Sequence, residues 1–200
     1  MSIRAERKLQ SQQCIMETVL ALGYSGHNFS SISLRQLARE VGIVPSALYR
    51  YFQNKEALAS ALLDQVALVI KSDLGLMIDC FFQHPTSLSQ LQKFFTHIEQ
   101  QALYWHFFIA ERWGGFSLLQ EKIEQEIEDL TDNLAQRLKR QACLPVIYQQ
   151  QEKTLATILL PLSFGWIMRW LQTRHTPQAI EKTQQLLQQF QSQMTILNRV

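Results

Sequence analysis

The chain has 200 residues, of which 46% are hydrophobic and 18% are charged, and its formal net charge is +2. This apolar content excludes an intrinsically disordered chain and is enough for one or two compact domains. The three cysteines, Cys14, Cys80 and Cys143, lie far apart, which predicts free thiols in a reducing compartment and not a disulfide framework.

The charges are unevenly distributed. Residues 1–55 carry seven Lys/Arg against three Asp/Glu, whereas residues 56–200 carry twelve against fourteen. A basic N-terminal module on a slightly acidic body is typical of a DNA-binding domain joined to a regulatory domain. Gly and Pro are few, Glu, Gln, Leu and Ala dominate the second half, and long alternating patterns are missing. The composition therefore predicts an all-α fold.

Residues 33–56, SLRQLAREVGIVPSALYRYFQNKE, predict two short helices joined by a tight turn, followed by the start of a third. Ser33 is a suitable N-cap, Gly42 can end the first helix in the left-handed conformation, and Pro45 suits the first turn of the second. One apolar face of the first helix has helical spacing: Leu34, Leu37, Ala38 and Val41. This is the layout of a helix-turn-helix, whose second helix lies in the major groove of DNA.

The outer side chains of this segment suit nucleic acid. An arginine side chain can contact a phosphate or a guanine edge. The residues that could read bases are therefore few: Ser46, Ala47 and either Arg35 or Arg50. Tyrosine hydroxyls, as at Tyr49, are phosphate ligands.

Further helices are predicted to the end of the chain. The breaks between them fall at His84-Pro85-Thr86, at Gly114-Gly115, near Pro145 and at Thr176-Pro177. The predicted helices span residues 55–82, 88–103, 104–112, 117–142, 149–174 with a bend at Pro161, and 176–197.

Residues 33–58 resemble the DNA-binding domain of the TetR family of transcriptional regulators. The matching motifs are Leu37-Ala38, Val41-Gly42-Ile43, Leu48-Tyr49, Tyr51-Phe52 and Lys55-Glu56-Ala57-Leu58. The resemblance covers about the first 65 residues. It implies that the second helix, 45–51, enters the groove and that a first helix, about 5–23, packs behind it. It divides the chain into a helix-turn-helix domain, 1–54, and a helical regulatory and dimerisation domain, 55–200.

Positions carried over from the family give roles to individual side chains. Tyr49, Tyr51 and Lys55 are expected to grip phosphates. The expected base or near-base contacts are Pro45, Ser46, Ala47 and Arg50. Ser33 and Arg35 complete the predicted DNA-binding set. The Val44-Pro45 pair departs from the family, because many members carry small or basic polar residues there.

Two short strings, GIVPSALYRYF and the later AERWGGF at 110–116, resemble the branch of the family that represses unsaturated fatty-acid synthesis, the FabR type. This resemblance implies control of lipid-metabolism genes with an acyl-CoA-like effector.

Aromatic residues concentrate at 104–116, YWHFFIAERWGGF. They predict an apolar ligand chamber with a polar end that would suit a fatty acyl thioester. The alternative is an ordinary aromatic core with surface Arg and His. The predicted ligand-binding residues are His97, Trp105, Phe108, Arg112, Trp113, Phe164, Trp166 and Arg169.

In the family the last two helices pair with those of a second subunit. Apolar stripes on both helices predict the same homodimer here, the alternative being packing within one subunit. The stripes comprise Leu155, Leu159, Leu162, Trp166 and Trp170, and Ile180, Leu187, Phe190 and Met194.

No hydrolase, phosphate-loop or dinucleotide motif occurs, and the histidines lack metal-ligand spacing. We therefore expect no enzyme, no cofactor and no metal. The apolar run 155–168 is shorter than the roughly 20 residues that span a bilayer, and no signal peptide is visible, so a cytoplasmic protein is expected. The sequence predicts a ligand-responsive homodimeric repressor of a palindromic operator. The alternatives are a helical small-molecule-binding protein without DNA function, and a transcriptional activator.

Overall fold

The computed structural model describes residues 3–78, 87–140, 149–174 and 178–199. The ordered elements in this part of the chain are helices: α1 Ile3–Tyr24, a 3₁₀ turn Phe29–Ser31, α2 Leu34–Val41, α3 Pro45–Leu48, α4 Lys55–Ile78, α5 Leu88–Gln100, α6 Ala102–Glu111, α7 Ser117–Lys139, α8 Glu152–Thr173 and α9 Ala179–Arg199. The predicted all-α class is confirmed.

Most predicted helix bounds agree with the structure to within a few residues. The predicted end of the fourth helix at Phe82, the breaks at 84–86, 145 and 176–177, and Cys80 and Cys143 lie outside the described residues. The helix predicted for 88–103 ends at Gln100, where the Gln101 N–H bonds to the Ile98 carbonyl oxygen and the next helix starts at once.

The chain forms two compact units. One contains Met1–Leu68 and Leu103–Gln125, and the other contains Val69–Ala102 and Glu126–Val200. This division differs from the sequence-based one at residue 54, because α6 and the start of α7 pack with the N-terminal helices. The predicted boundary at residue 54 divides the chain by function, into a DNA-binding part and a regulatory part. This functional division stays a prediction.

The core of the N-terminal unit is apolar and combines aliphatic side chains with several aromatic rings. Phe29 lies at its centre, with its ring edge-on to Phe107 at 6.3 Å and to Phe116 at 5.1 Å between centroids. Edge-to-face pairs of this kind add about 0.5–1.5 kcal/mol to the burial of their area. Other buried side chains of this core include Ile15, Val19, Leu37, Leu48, Phe52, Leu62, Trp105, Phe108 and Ile123. The 3₁₀ turn is therefore anchored from the inside by Phe29.

The second unit is held by an aromatic stack among α5, α8 and α9. The Phe95 ring stacks on Trp170 at 4.7 Å, and Phe190 lies 5.2 Å from both Phe95 and Trp166. The indole N–H groups are satisfied, since Trp166 donates to Gln193 and Trp170 donates to Glu99, both at 2.7 Å. These bonds fix how the three helices face one another.

This packing corrects the predicted dimer stripes. Leu155, Leu159, Trp166 and Trp170 on α8, and Leu187, Phe190 and Met194 on α9, are buried inside a single chain. The reason is that the periodic apolar face of each helix covers α5 and its neighbour. Of the predicted stripe residues only Leu162 and Ile180 keep exposed surface.

Helix α8 is the one described helix long and apolar enough to cross a membrane by length and composition. Its residues are mostly buried against α5 and α9, which is the environment of a core helix in a globular unit.

Candidate nucleic-acid interface

Helix α2 begins and ends as the sequence predicts. The Ser33 hydroxyl accepts the Gln36 N–H at 3.1 Å, and this bond caps the helix. Gly42 has φ 77°, and its N–H bonds back to Arg39 while the Ile43 N–H bonds to Ala38 at 2.9 Å. A left-handed residue followed by a 6→1 bond of this kind is a Schellman ending. It reverses the chain sharply enough to start α3 three residues later.

Helix α3 is shorter than predicted. It covers Pro45–Leu48 and not 45–51, because the Arg50 and Tyr51 N–H groups bond to carbonyls three residues back, Ala47 at 3.1 Å and Leu48 at 2.9 Å. These tighter bonds turn the chain so that Phe52 reaches the core. Residues 49–51 therefore form a turn at the end of the second helix.

The predicted DNA-binding residues divide by exposure. Most are exposed on α2, α3 and the turn after it: Ser33, Arg35, Pro45, Ser46, Tyr49 and Arg50. Ala47 and Tyr51 are half-buried. Val44, whose side chain is 65% exposed, precedes α3 and belongs to the same surface. In the sequence, Val44 stood out only because the Val44-Pro45 pair departs from the family pattern. The sequence alone does not show whether such a valine is exposed or lies in the core.

Lys55 is placed differently from the other predicted phosphate ligands. Its ammonium Nζ donates to the Ser30 carbonyl oxygen at 2.9 Å and lies 5.0 Å from the Phe29 ring centroid and 5.5 Å from that of Phe116. Burial lowers the pKa of Lys55, and the negative charges of Glu111 and Glu56 oppose that shift. The lysine thus points toward the module's own backbone.

Glu111, at the end of α6, is a site residue that the sequence did not reveal. Its side chain is among the few buried polar ones, and its Oε1 accepts the Phe29 N–H at 2.8 Å. Burial raises the pKa of the Glu111 carboxyl, while the Phe29 N–H bond and the charge of Lys55 oppose the shift. Its neighbour Arg112 is directed elsewhere, since Arg112 Nε bonds to Glu124 at 2.7 Å.

The predicted ligand-binding residues fall into both units. His97, Phe164, Trp166 and Arg169 belong to one, and Trp105, Phe108, Arg112 and Trp113 to the other. The polar members have partners within the chain: His97 bonds to buried Asp73 at 2.8 Å, Arg112 to Glu124, and Arg169 to Gln189 at 3.1 Å.

Among the aromatic members, Trp113 is 79% exposed, with the Arg112 guanidinium 5.1 Å above its ring. A groove of about 300 Å³ is lined by Arg169, Lys182 and glutamines of α8 and α9. The ligand set stays a prediction.

The face built by α2, the tight turn and α3 defines a class of protein: a helical regulator with an N-terminal helix-turn-helix for DNA. Residues 24–62 match the family model described as bacterial regulatory proteins, tetR family. The match places a DNA-binding module of the tetR type at the N-terminus, and this supports a DNA-binding transcriptional regulator.

Three solved structures are similar to this chain. GusR of Salmonella enterica is 14% identical, with a TM-score of 0.60, and the match covers 96% of this chain and 97% of that one. The repressor AlkX of Dietzia sp. is 16% identical, with a TM-score of 0.42 and coverage of 94% and 96%. A tetR-family regulator of Streptomyces coelicolor is 18% identical, with a TM-score of 0.48 and coverage of 100% and 89%. At these identities GusR supports the fold alone.

Proposed function

We propose that this protein is a homodimeric, ligand-responsive transcriptional repressor that binds a palindromic operator. The observation that carries the proposal is the exposed face of the helix-turn-helix, where Arg35, Ser46, Tyr49 and Arg50 are all exposed on α2, α3 or the turn after it. Regulators of the family are generally not enzymes and are soluble. We propose the same for this chain, without cofactor, membrane or metal and in the cytoplasm.

On this face the contacts divide by chemistry. Arg35 and Arg50 supply charge for phosphate or a guanine edge, and the Tyr49 hydroxyl supplies a phosphate ligand. Ser46 and Ala47 lie in α3, where base edges are reached. We add Val44, because an exposed apolar side chain beside the recognition helix suits the methyl group of thymine.

A second copy of the chain is the proposed occupant of the outer faces of α8 and α9. On α8 the exposed positions Thr154, Ile158, Pro161 and Gly165 recur every three or four residues, and the small residues allow close helix approach. Nothing lies within 4 Å of a Cβ built on Gly165. On α9, Ile196 is 63% exposed. A two-fold dimer would present two recognition helices to two half-sites.

The effector is proposed to be acyl-CoA-like, controlling genes of fatty-acid or lipid metabolism. The support is the resemblance of GIVPSALYRYF and AERWGGF to the FabR-type branch, together with the aromatic residues of α6. Such a ligand would change DNA binding only through its different affinities for two arrangements of the protein.

The test is selection of bound sequences from a random duplex pool, with and without long-chain acyl-CoA. We expect an enriched palindrome whose recovery changes with the acyl-CoA. An enriched palindrome indifferent to acyl-CoA would contradict the effector and keep the regulator. No enrichment would contradict DNA binding and favour a small-molecule-binding protein. Reporter expression from the selected site, with and without the protein, then separates repression from activation.

A further inference from the structure

The 3₁₀ turn Phe29–Ser31 is held from two sides by charged side chains. Glu111, from the C-terminal end of α6, accepts the Phe29 N–H, and Lys55, from the first turn of α4, donates to the Ser30 carbonyl. The two bonds thus engage neighbouring backbone groups of a single turn. Two residues after the turn comes Ser33, the cap of α2.

The surroundings of this pair are closely packed. A side chain at Gly114 would overlap the Glu111 carboxylate, and a Cβ at Gly115 would lie 3.1 Å from the Ser30 hydroxyl oxygen. The Lys55 ammonium lies over the rings of Phe29 and Phe116, a cation–π arrangement that strengthens when water is excluded. The loop between α6 and α7 therefore packs against Glu111 at Gly114 and against Lys55 through the Phe116 ring.

The second carboxylate oxygen of Glu111, Oε2, is also buried. It has no hydrogen-bond partner among the described residues, so the carboxylate charge needs compensation. Lys55 is the cation whose charge acts on it. The Lys55 ammonium therefore interacts with two groups of its own chain, the Glu111 charge and the Ser30 carbonyl oxygen.

We propose that Glu111 and Lys55 form one clasp that fixes the turn leading into the helix-turn-helix, and that Lys55 is a positioning residue and not a phosphate ligand. The DNA part of this inference rests on the proposed function. The clasp makes the end of α6 the element that sets where α2 begins, through the short segment 29–33.

Two readings of Lys55 predict different salt dependence. The logarithm of DNA affinity falls with the logarithm of salt concentration by about 0.9 for each phosphate contact. A lysine on a phosphate therefore lowers that slope by about 0.9 when it is replaced, whereas a clasp lysine leaves the slope unchanged while affinity drops.

The experiment uses the full-length chain and the selected operator, with Lys55→Met, Glu111→Ala and the double variant. We expect each single variant to weaken operator binding about tenfold with an unchanged salt slope, and the double variant to bind no more weakly than the worse single one. Arg50→Ala, which removes an exposed cation from the proposed DNA face, is the comparator that should lower the slope. Lys122→Met is the control, since its ammonium bonds to Ser60 in the same unit.

A second measurement does not need DNA. Amide exchange at Phe29 should accelerate in Glu111→Ala and in Lys55→Met, and stay slow in Glu111→Gln, which keeps the acceptor oxygen. If Glu111→Ala does not fold, Glu111→Gln replaces it. In the Glu111→Gln variant, Lys55→Met should lower the free energy of unfolding by less than it does in the wild type.

The outcomes are decisive in both directions. A slope that falls by about 0.9 in Lys55→Met, with Glu111 variants binding like wild type, would make Lys55 a phosphate ligand and overturn the clasp. Additive effects on unfolding would also overturn it. If the wild type binds no operator, the proposed function fails, and the exchange and unfolding measurements still decide the clasp.

Discussion

Glu111 brings a carboxyl group into an apolar interior, with Oε1 bonded to the Phe29 backbone and Oε2 buried beside Gly114. Burial dominates the balance and raises its pKa above the ordinary value of 4.5. The sequence displays this residue only as one Glu beside an Arg, which suggests a local pair. The actual partner is 82 positions away, and only the packing of α6 on the turn brings it into contact.

This shift makes stability depend on pH. The folded-state pKa of Glu111 is raised, so its contribution to the free energy of unfolding is fully present below about pH 4.5 and is lost as pH rises through the folded-state pKa. Glu111→Gln, which has no such titration, should gain stability relative to wild type over that rise. Urea unfolding at a series of pH values checks this, with Glu121→Gln at an exposed position of α7 as the control. A constant difference between Glu111→Gln and wild type would contradict the expectation.

At the scale of elements, the turn between α2 and α3 is the feature most dependent on one backbone conformation. A non-glycine residue in the left-handed region costs roughly 1–2 kcal/mol. Gly42→Ala should therefore lower the free energy of unfolding by about that amount and weaken DNA binding, since α3 loses its approach angle.

Gly23→Ala is the matched control for this turn. Gly23 lies in helix α1, where an added Cβ would meet the Phe107 ring at an ordinary 4.0 Å. Alanine there should be neutral or stabilise the helix by roughly 0.5–1 kcal/mol. Chemical unfolding of both variants, followed by circular dichroism, gives the comparison. Equal effects would show that the φ of Gly42 is not what matters.

Local signals were sufficient for the helix-turn-helix. Caps, the left-handed glycine and the apolar spacing of Leu37 and Leu48 are short-range features, and the structure places them as predicted. The long-range packing of helices could not be predicted from such local features. The Trp166 and Trp170 stripe has the period of a helix face, but periodicity does not say whether that face meets another helix of the same chain or of a second chain. The stack with Phe95 and Phe190 decided it.

For the whole molecule, the proposed dimer assigns the outer faces of α8 and α9 to a second subunit. Ile158→Asp together with Ile196→Asp would place carboxylates in that interface, where unpaired charges are strongly unfavourable. We expect sedimentation velocity to show a dimer for wild type and a monomer for this variant, with unchanged helix content. Leu9→Asp, at an exposed position of α1, should remain dimeric. A variant that stays dimeric would move the interface elsewhere, and a monomeric wild type would contradict the homodimer.

The four tryptophans differ in exposure, and this difference gives the protein an intrinsic fluorescent probe. Trp105, Trp166 and Trp170 are buried, whereas Trp113 is exposed and follows the clasp residue Glu111 by two positions. Iodide in solution will therefore quench the fluorescence of Trp113 selectively, and its red-shifted emission separates from that of the other three. Any ligand or DNA that shifts the end of α6 will be visible in that emission without a label.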